Sequence, residues 1–97
     1  MSQLESIKSL LLKLKPELSA KYSVSAIGLF GSIVRDDYSP SRSDIDIIVD
    51  FSKPIGIQFI ELADFLEEKI KQKVDLVSKN GIKPKYLQAI ESDIVYV

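Results

Sequence analysis

The chain has no cysteine and no histidine in its 97 residues. That double absence excludes disulfides, structural zinc, thiol nucleophiles and imidazole bases, so any catalysis rests on carboxylates, hydroxyls, lysine or arginine. A carboxylate-bound magnesium ion is the natural metal for such a set. An excess of one charge sign is also missing: 13 Lys and Arg against 14 Asp and Glu leave a net charge of -1. An electrostatic binder of nucleic acid normally carries a basic excess, so direct nucleic-acid binding is not expected. Long apolar runs are absent as well. The N-terminal stretch Leu10-Leu11-Leu12 is hemmed in by Lys8, Lys13 and Lys15, too short for a signal-peptide core and far too short to span a bilayer. No membrane association is expected, and the reading is of a cytoplasmic protein, where magnesium and nucleoside triphosphates are available.

What is present is ordinary globular material, 45% hydrophobic and 28% charged, in a length suited to a single domain over residues 1–97. Leu4, Ile7, Leu11, Leu14 and Leu18 recur at three- and four-residue steps and predict an amphipathic helix from about Ser2 to Ala20, which Pro16 could kink or end. Val24 to Phe30 reads as a strand closed by Gly31-Ser32, with a helical turn from about Ile33 to Asp36. A loop rich in turn formers, residues 37–43, leads into a strand from Asp44 to Phe51. Ile57, Ile60, Leu62, Ala63, Leu66 and Ile70 give a second helical stripe. Lys73 to Val77 is a third strand, Lys85 to Glu91 a short helix, and Ile94 to Val97 a terminal strand or ordered tail. This order describes an α+β fold, an α/β sandwich in which a small mixed β-sheet has helices packed on one face. The opposite sheet face is expected to be open for a site.

Three features carry chemistry. In Asp44-Ile45-Asp46-Ile47-Ile48-Val49 the strand period of two sends Asp44 and Asp46 to one face and Ile45, Ile47 and Val49 to the other. Two like charges on one patch raise one pKa unless a cation lies between them, a reason to bind magnesium. By itself, Asp-x-Asp reads as an amphipathic strand with a solvated acidic face. Asp75, isolated among apolar neighbours in the third strand, either completes a three-carboxylate cluster able to hold two metal ions for nucleotidyl transfer or points outward as an edge-strand charge. Gly31-Ser32, separated from Asp44 by eleven residues, could turn its N–H groups and hydroxyl toward a triphosphate, or be a turn with an N-cap residue. Arg35 could neutralise phosphate or lie exposed, and Arg42 and Ser43 could touch a nucleotide or solvate the loop.

Taken together, Gly28-Leu29-Phe30-Gly31-Ser32, Ser43-Asp44-Ile45-Asp46-Ile47-Ile48-Val49 and Lys73-Val74-Asp75-Leu76-Val77 closely resemble the minimal nucleotidyltransferases of the DNA polymerase β superfamily. The pattern extends to the closing Asp93-Ile94-Val95-Tyr96-Val97. The resemblance implies the polymerase-β-type nucleotidyltransferase fold and nucleotide binding at Gly31, Ser32, Arg35 and Ser43. It implies that Asp44, Asp46 and Asp75 form the catalytic and metal-binding set, holding two Mg2+ ions with ATP as substrate. Small stand-alone members look like antitoxins, so it also implies transfer of AMP to a hydroxyl, with tyrosine the expected acceptor, on a partner HEPN ribonuclease toxin, in a homo- or hetero-oligomer. One departure is that Asp36 and Asp37 follow Arg35, where many relatives have glycine. Two other functions fit the same residues. One is an antitoxin that neutralises by stoichiometric binding without catalysis; the other is a small-molecule nucleotidyltransferase of the antibiotic-modifying type, although such relatives usually carry an added helical domain.

Overall fold

The computed structural model describes residues 3–35, 38, 39 and 42–97. The expected helix start at Ser2, the end of the helical turn at Asp36, the Asp36-Asp37 departure, and Pro40 and Ser41 of the loop lie outside the described residues. Helix α1 (Gln3–Tyr22) leads into strand β1 (Val24–Phe30), then α2 (Ser32–Arg35), β2 (Ile45–Phe51), α3 (Gln58–Ile70), β3 (Val74–Ser78) and α4 (Pro84–Ile90). A 3-10 turn at Glu91–Asp93 and strand β4 (Val95–Tyr96) finish the chain. The four strands form one mixed sheet in the order β3-β2-β1-β4, with β2 antiparallel to β1 and parallel to β3, and β4 antiparallel to β1.

Helix α1 does not stop at Pro16 but runs on to Tyr22. Proline removes the N–H that would bond to the carbonyl of Leu12, and both Pro16 and Leu12 lie on the exposed side of the helix, where water can satisfy that carbonyl. The α1 stripe is confirmed, with Ile7, Leu11 and Leu18 buried and Leu4 and Leu14 partly so. It packs beside α3 over one face of the sheet, against Ile27 and Leu29 of β1 and Ile45, Ile47 and Val49 of β2. Val24 joins the same core although it is three residues from Ile27, an odd step that should reverse its face. A β-bulge resolves this: Val24 pairs with Phe51 and Ala26 with Asp50, so Ser25 is an extra residue on β1. The Ser25 hydroxyl donates to the Asp50 carbonyl at 3.1 Å.

Two expectations need correction. Ile57 and Ile60 are not part of the buried α3 stripe; they are 73% and 63% exposed. The buried set is Leu62, Leu66 and Ile70, extended by Phe59 and Phe65. On a 3.6-residue period Phe59 lies above Leu62 and Leu66, whereas Ile57 and Ile60 point away. The sheet face opposite α1 and α3 is also not wholly open. Ile48, on that face, is 1% exposed. Its register neighbour Gly28 is covered by the tail, since a Cβ on Gly28 would lie 2.8 Å from Ile94 Cγ2. Only one end of this face remains for the acids.

Leu66→Ala should cost about 2–5 kcal/mol in urea-induced unfolding, the usual range for truncating a fully buried leucine. Ile60→Ala should stay within about 0.5 kcal/mol, as expected of an exposed side chain.

Candidate active site

The acids come together at the end of the sheet where β1 finishes and β2 and β3 begin. Cross-strand pairing sets Phe30, Asp46 and Asp75 in one row, Phe30 opposite Asp46 and Asp46 beside Asp75. The starts of the two strands are pinned by hydrogen bonds. The Ile45 N–H donates to the Lys73 carbonyl at 2.8 Å, and the Val74 N–H donates to Glu67 Oε2 at 2.9 Å. Helix α3 ends at Lys71, whose left-handed φ of 64° turns the chain into β3 and whose N–H bonds to the Glu67 carbonyl at 2.7 Å. Glu67 thus holds both the end of α3 and the start of β3, the register position that puts Asp75 next to Asp46.

Gly31 is the other wall. It has φ of +76°, and a Cβ there would lie 2.1 Å from Asp46 Oδ2, so the Asp46 carboxylate rests against the bare α-carbon. Glycine is needed twice, for the left-handed backbone and for the close approach. The Gly31 carbonyl accepts from the N–H groups of Val34 and Arg35 at 3.0 and 3.1 Å, starting α2.

Electrostatics follow from this packing. Burial pushes the Asp46 carboxyl up to about 6, and the charges of Asp75 and then Asp44 push the same way, together with a hydrogen bond shared with Asp75; Arg35 opposes them. Asp44, Asp46, Asp75 and Arg35 therefore share one electrostatic neighbourhood. Asp44 lies just outside β2, which begins at Ile45 rather than at Asp44, and is exposed, as is Asp75. Among the described residues no three acids converge tightly enough to enclose a metal ion.

The other expected contacts divide. Ser32 is the first residue of α2, directly after Gly31. Ser43 bends back on its own loop: the Ser39 N–H donates to the Ser43 hydroxyl oxygen at 3.1 Å, and the Ser43 N–H donates to the Ser39 carbonyl at 2.7 Å. Tyr38 was not singled out for the site, yet its hydroxyl donates to the Gln72 side-chain carbonyl, tying the α2–β2 loop to the turn before β3. Burial and, after it, the charge of Asp44 raise the Tyr38 pKa. Neither the Tyr38–Gln72 pair nor the Glu67 anchor has a signal in sequence spacing, because each joins segments separated by a whole element or a reversal of the chain. Two clefts lie at the opposite end of the sheet, around Phe59 and Ser78, away from the acids.

The model of the nucleotidyltransferase domain matches residues 11–97. The chain belongs to this nucleotidyltransferase family. The nucleotidyltransferase is 41% identical to protein adenylyltransferase MntA of Thermococcus cleftensis, covering 100% of this chain and 98% of that protein. In three dimensions it resembles a chain of a toxin–antitoxin complex crystallised with AMP-PNP, with a TM-score of 0.75, 26% identity, and coverage of 91% of this chain and 69% of that one. It also resembles a chain of the Shewanella oneidensis complex between a tri-AMPylated HEPN toxin and an MNT antitoxin, with a TM-score of 0.68. There the identity is 24%, over 96% of this chain and 70% of that one, a likeness of fold. Among the described residues no helix is long and apolar enough to cross a membrane.

Two predictions follow from the Gly31–Asp46 contact. Because the folded-state pKa of Asp46 is raised from 3.8 to about 6, the folded nucleotidyltransferase binds more protons than the unfolded chain between those values, and its stability falls as pH rises through that window. Asp46→Asn should therefore be more stable than wild type at pH 7 without added metal, with the advantage fading toward pH 4 in urea titrations. Gly31→Ala should lose at least about 1–2 kcal/mol from its left-handed backbone alone, and carboxyl NMR should show Asp46 displaced, titrating nearer its ordinary value.

Proposed function

We propose that this nucleotidyltransferase transfers AMP from ATP to a hydroxyl, a tyrosine for preference, of a partner HEPN-type toxin and so neutralises it. The observation that carries the reading is the row of Asp46 and Asp75 built against Gly31 with Asp44 beside it. The full-length likeness to a protein adenylyltransferase supports the reaction class. The AMP-PNP complex supports an ATP-type nucleotide, and the toxin–antitoxin complexes support the partner. We place the reaction in the cytoplasm and assign residues 1–97 to one minimal nucleotidyltransferase domain.

The donor set fits magnesium: three carboxylates and no softer ligand, with the Asp46 pKa raised by burial and then by the charges of Asp75 and Asp44, so that the ionised form gains from a cation. Asp44, Asp46 and Asp75 would hold it, and bound magnesium supplies positive charge against the α-phosphate and the departing pyrophosphate. Gly31 and Ser32, where β1 passes into α2, face the phosphates, and Arg35 adds a cation on the same side. Ser43 contributes from the loop that its bond to Ser39 shapes.

In the transfer the acceptor oxygen attacks the α-phosphorus, the new O–P bond forms as the bond to the bridging oxygen breaks, and pyrophosphate leaves. Asp75 is exposed and takes the acceptor's proton. With no histidine in the chain, a carboxylate is the base at hand.

Incubating the chain and its toxin partner with ATP and magnesium should add AMP-sized increments to the intact mass of the toxin, and EDTA should prevent them. Asp44→Asn should lower the rate by at least about a hundredfold, in line with losing a group that stabilises charge in the transition state. A toxin that is silenced by Asp44→Asn without any added mass would instead establish neutralisation by binding.

A further inference from the structure

At the end of the sheet remote from the acids, two open clefts adjoin. One, of about 490 Å³, is lined by Phe51, Lys53, Pro54, Ile55 and Phe59, among others. The second, of about 450 Å³, is lined by Phe59, Val77, Ile82, Lys83 and Tyr86, among others. They share Phe59 and Ser78 and so form one groove. Ser52, Ser78 and Asn80 also line it, but large apolar side chains stand exposed in it and on α3: Tyr86 is 63% exposed, and Ile57 and Ile60, just before and in the first turn of α3, are 73% and 63% exposed.

The charge on the groove is of one sign. No carboxylate lines either cleft, whereas Lys53 lines one and Lys83 the other. Among the described residues the ion pairs are Lys8 with Glu5 and Lys21 with Glu17, so neither groove lysine has a carboxylate partner. Apolar floor and lysine rim together specify a complement. RNA could use the lysines and stack bases on Phe51, Phe59 and Tyr86, but Pro54, Ile55, Val77 and Ile82 would then face phosphate and sugar, and the chain's net charge of -1 gives no general attraction for it.

We propose that this groove docks one amphipathic, acidic helix of a partner protein, its apolar side chains on Phe59, Ile82 and Tyr86 and its carboxylates on Lys53 and Lys83. A helix presenting apolar residues at i, i+3, i+4 and i+7 with flanking Glu or Asp meets both features at once. The inference goes beyond the transfer reading and does not depend on it. It also separates holding from modifying. Asp46 and Phe51 are five residues apart on β2, about 17 Å at the strand rise of ~3.3 Å per residue, so a docked partner leaves the acids uncovered.

The test is a titration of the full-length 15N-labelled chain with two synthetic helical peptides that share leucines at this spacing and differ in carrying glutamates or lysines at the flanks. The glutamate peptide should shift the amides of Phe59, Ser78, Ile82 and Tyr86 and bind at least about tenfold more tightly than the lysine peptide. The Lys53→Glu, Lys83→Glu double variant, checked for an unchanged thermal midpoint, should reverse that preference. Asp44→Asn should give the same shifts as wild type, which keeps this result separate from any loss of transfer. Equal affinity for both peptides, no shifts with either, shifts confined to other residues, a preference unaltered in the double variant, tighter binding of an RNA oligonucleotide at the same amides, or self-association of the chain through them would overturn the proposal.

Discussion

The pairing of β1 with β2 presses the Asp46 carboxylate against the α-carbon of Gly31, and the geometry at this end of the molecule depends on that contact. It requires glycine at the last position before α2, fixes where the short helix starts, and takes one carboxylate partly out of water. The alternation along β2 does the rest: Ile45, Ile47 and Val49 enter the core while Asp46 faces the other way. A register slip of one residue would put the acid under α1 and α3 and three branched side chains in solvent, a loss no local adjustment could offset. The proposed site is therefore locked in place by the hydrophobic core behind it.

Much of this was legible in the sequence. The α1 stripe, the end of β1 at Gly31, and the opposite facing of Asp46 and its isoleucine neighbours follow from periods of 3.6 and 2 and from turn chemistry; Asp75 reads as a strand residue, but only the β2–β3 pairing sets it beside Asp46. Ile57 and Ile60 were misassigned because apolar character was counted without asking whether each residue kept phase with Leu62 and Leu66. The burial of Ile48 depends on Ile94 folding back over Gly28, a contact between residues far apart in the chain. The bulge at Ser25 was likewise invisible, since only the pairing partner reveals that one strand has a residue to spare.

The molecule is polar along β2. Carboxylates gather where β2 and β3 begin, and unpaired lysines with exposed apolar side chains gather where they end. Such a division suits a protein that must keep a macromolecular partner near a charged reaction centre without covering it. It also fits the place of the two clefts: a carboxylate cluster proposed to meet a nucleotide and an incoming hydroxyl needs open access, whereas a docking surface needs area.

Burial of the Asp46 carboxyl, with the charges of Asp75 and Asp44 added to it, ties stability to pH at this end of the sheet. At neutral pH the fold holds a carboxylate that the unfolded chain would keep in water and apart from other charges, a cost concentrated where β2 and β3 begin. A cation held by the proposed carboxylate set would offset that cost and so stabilise the fold by mass action.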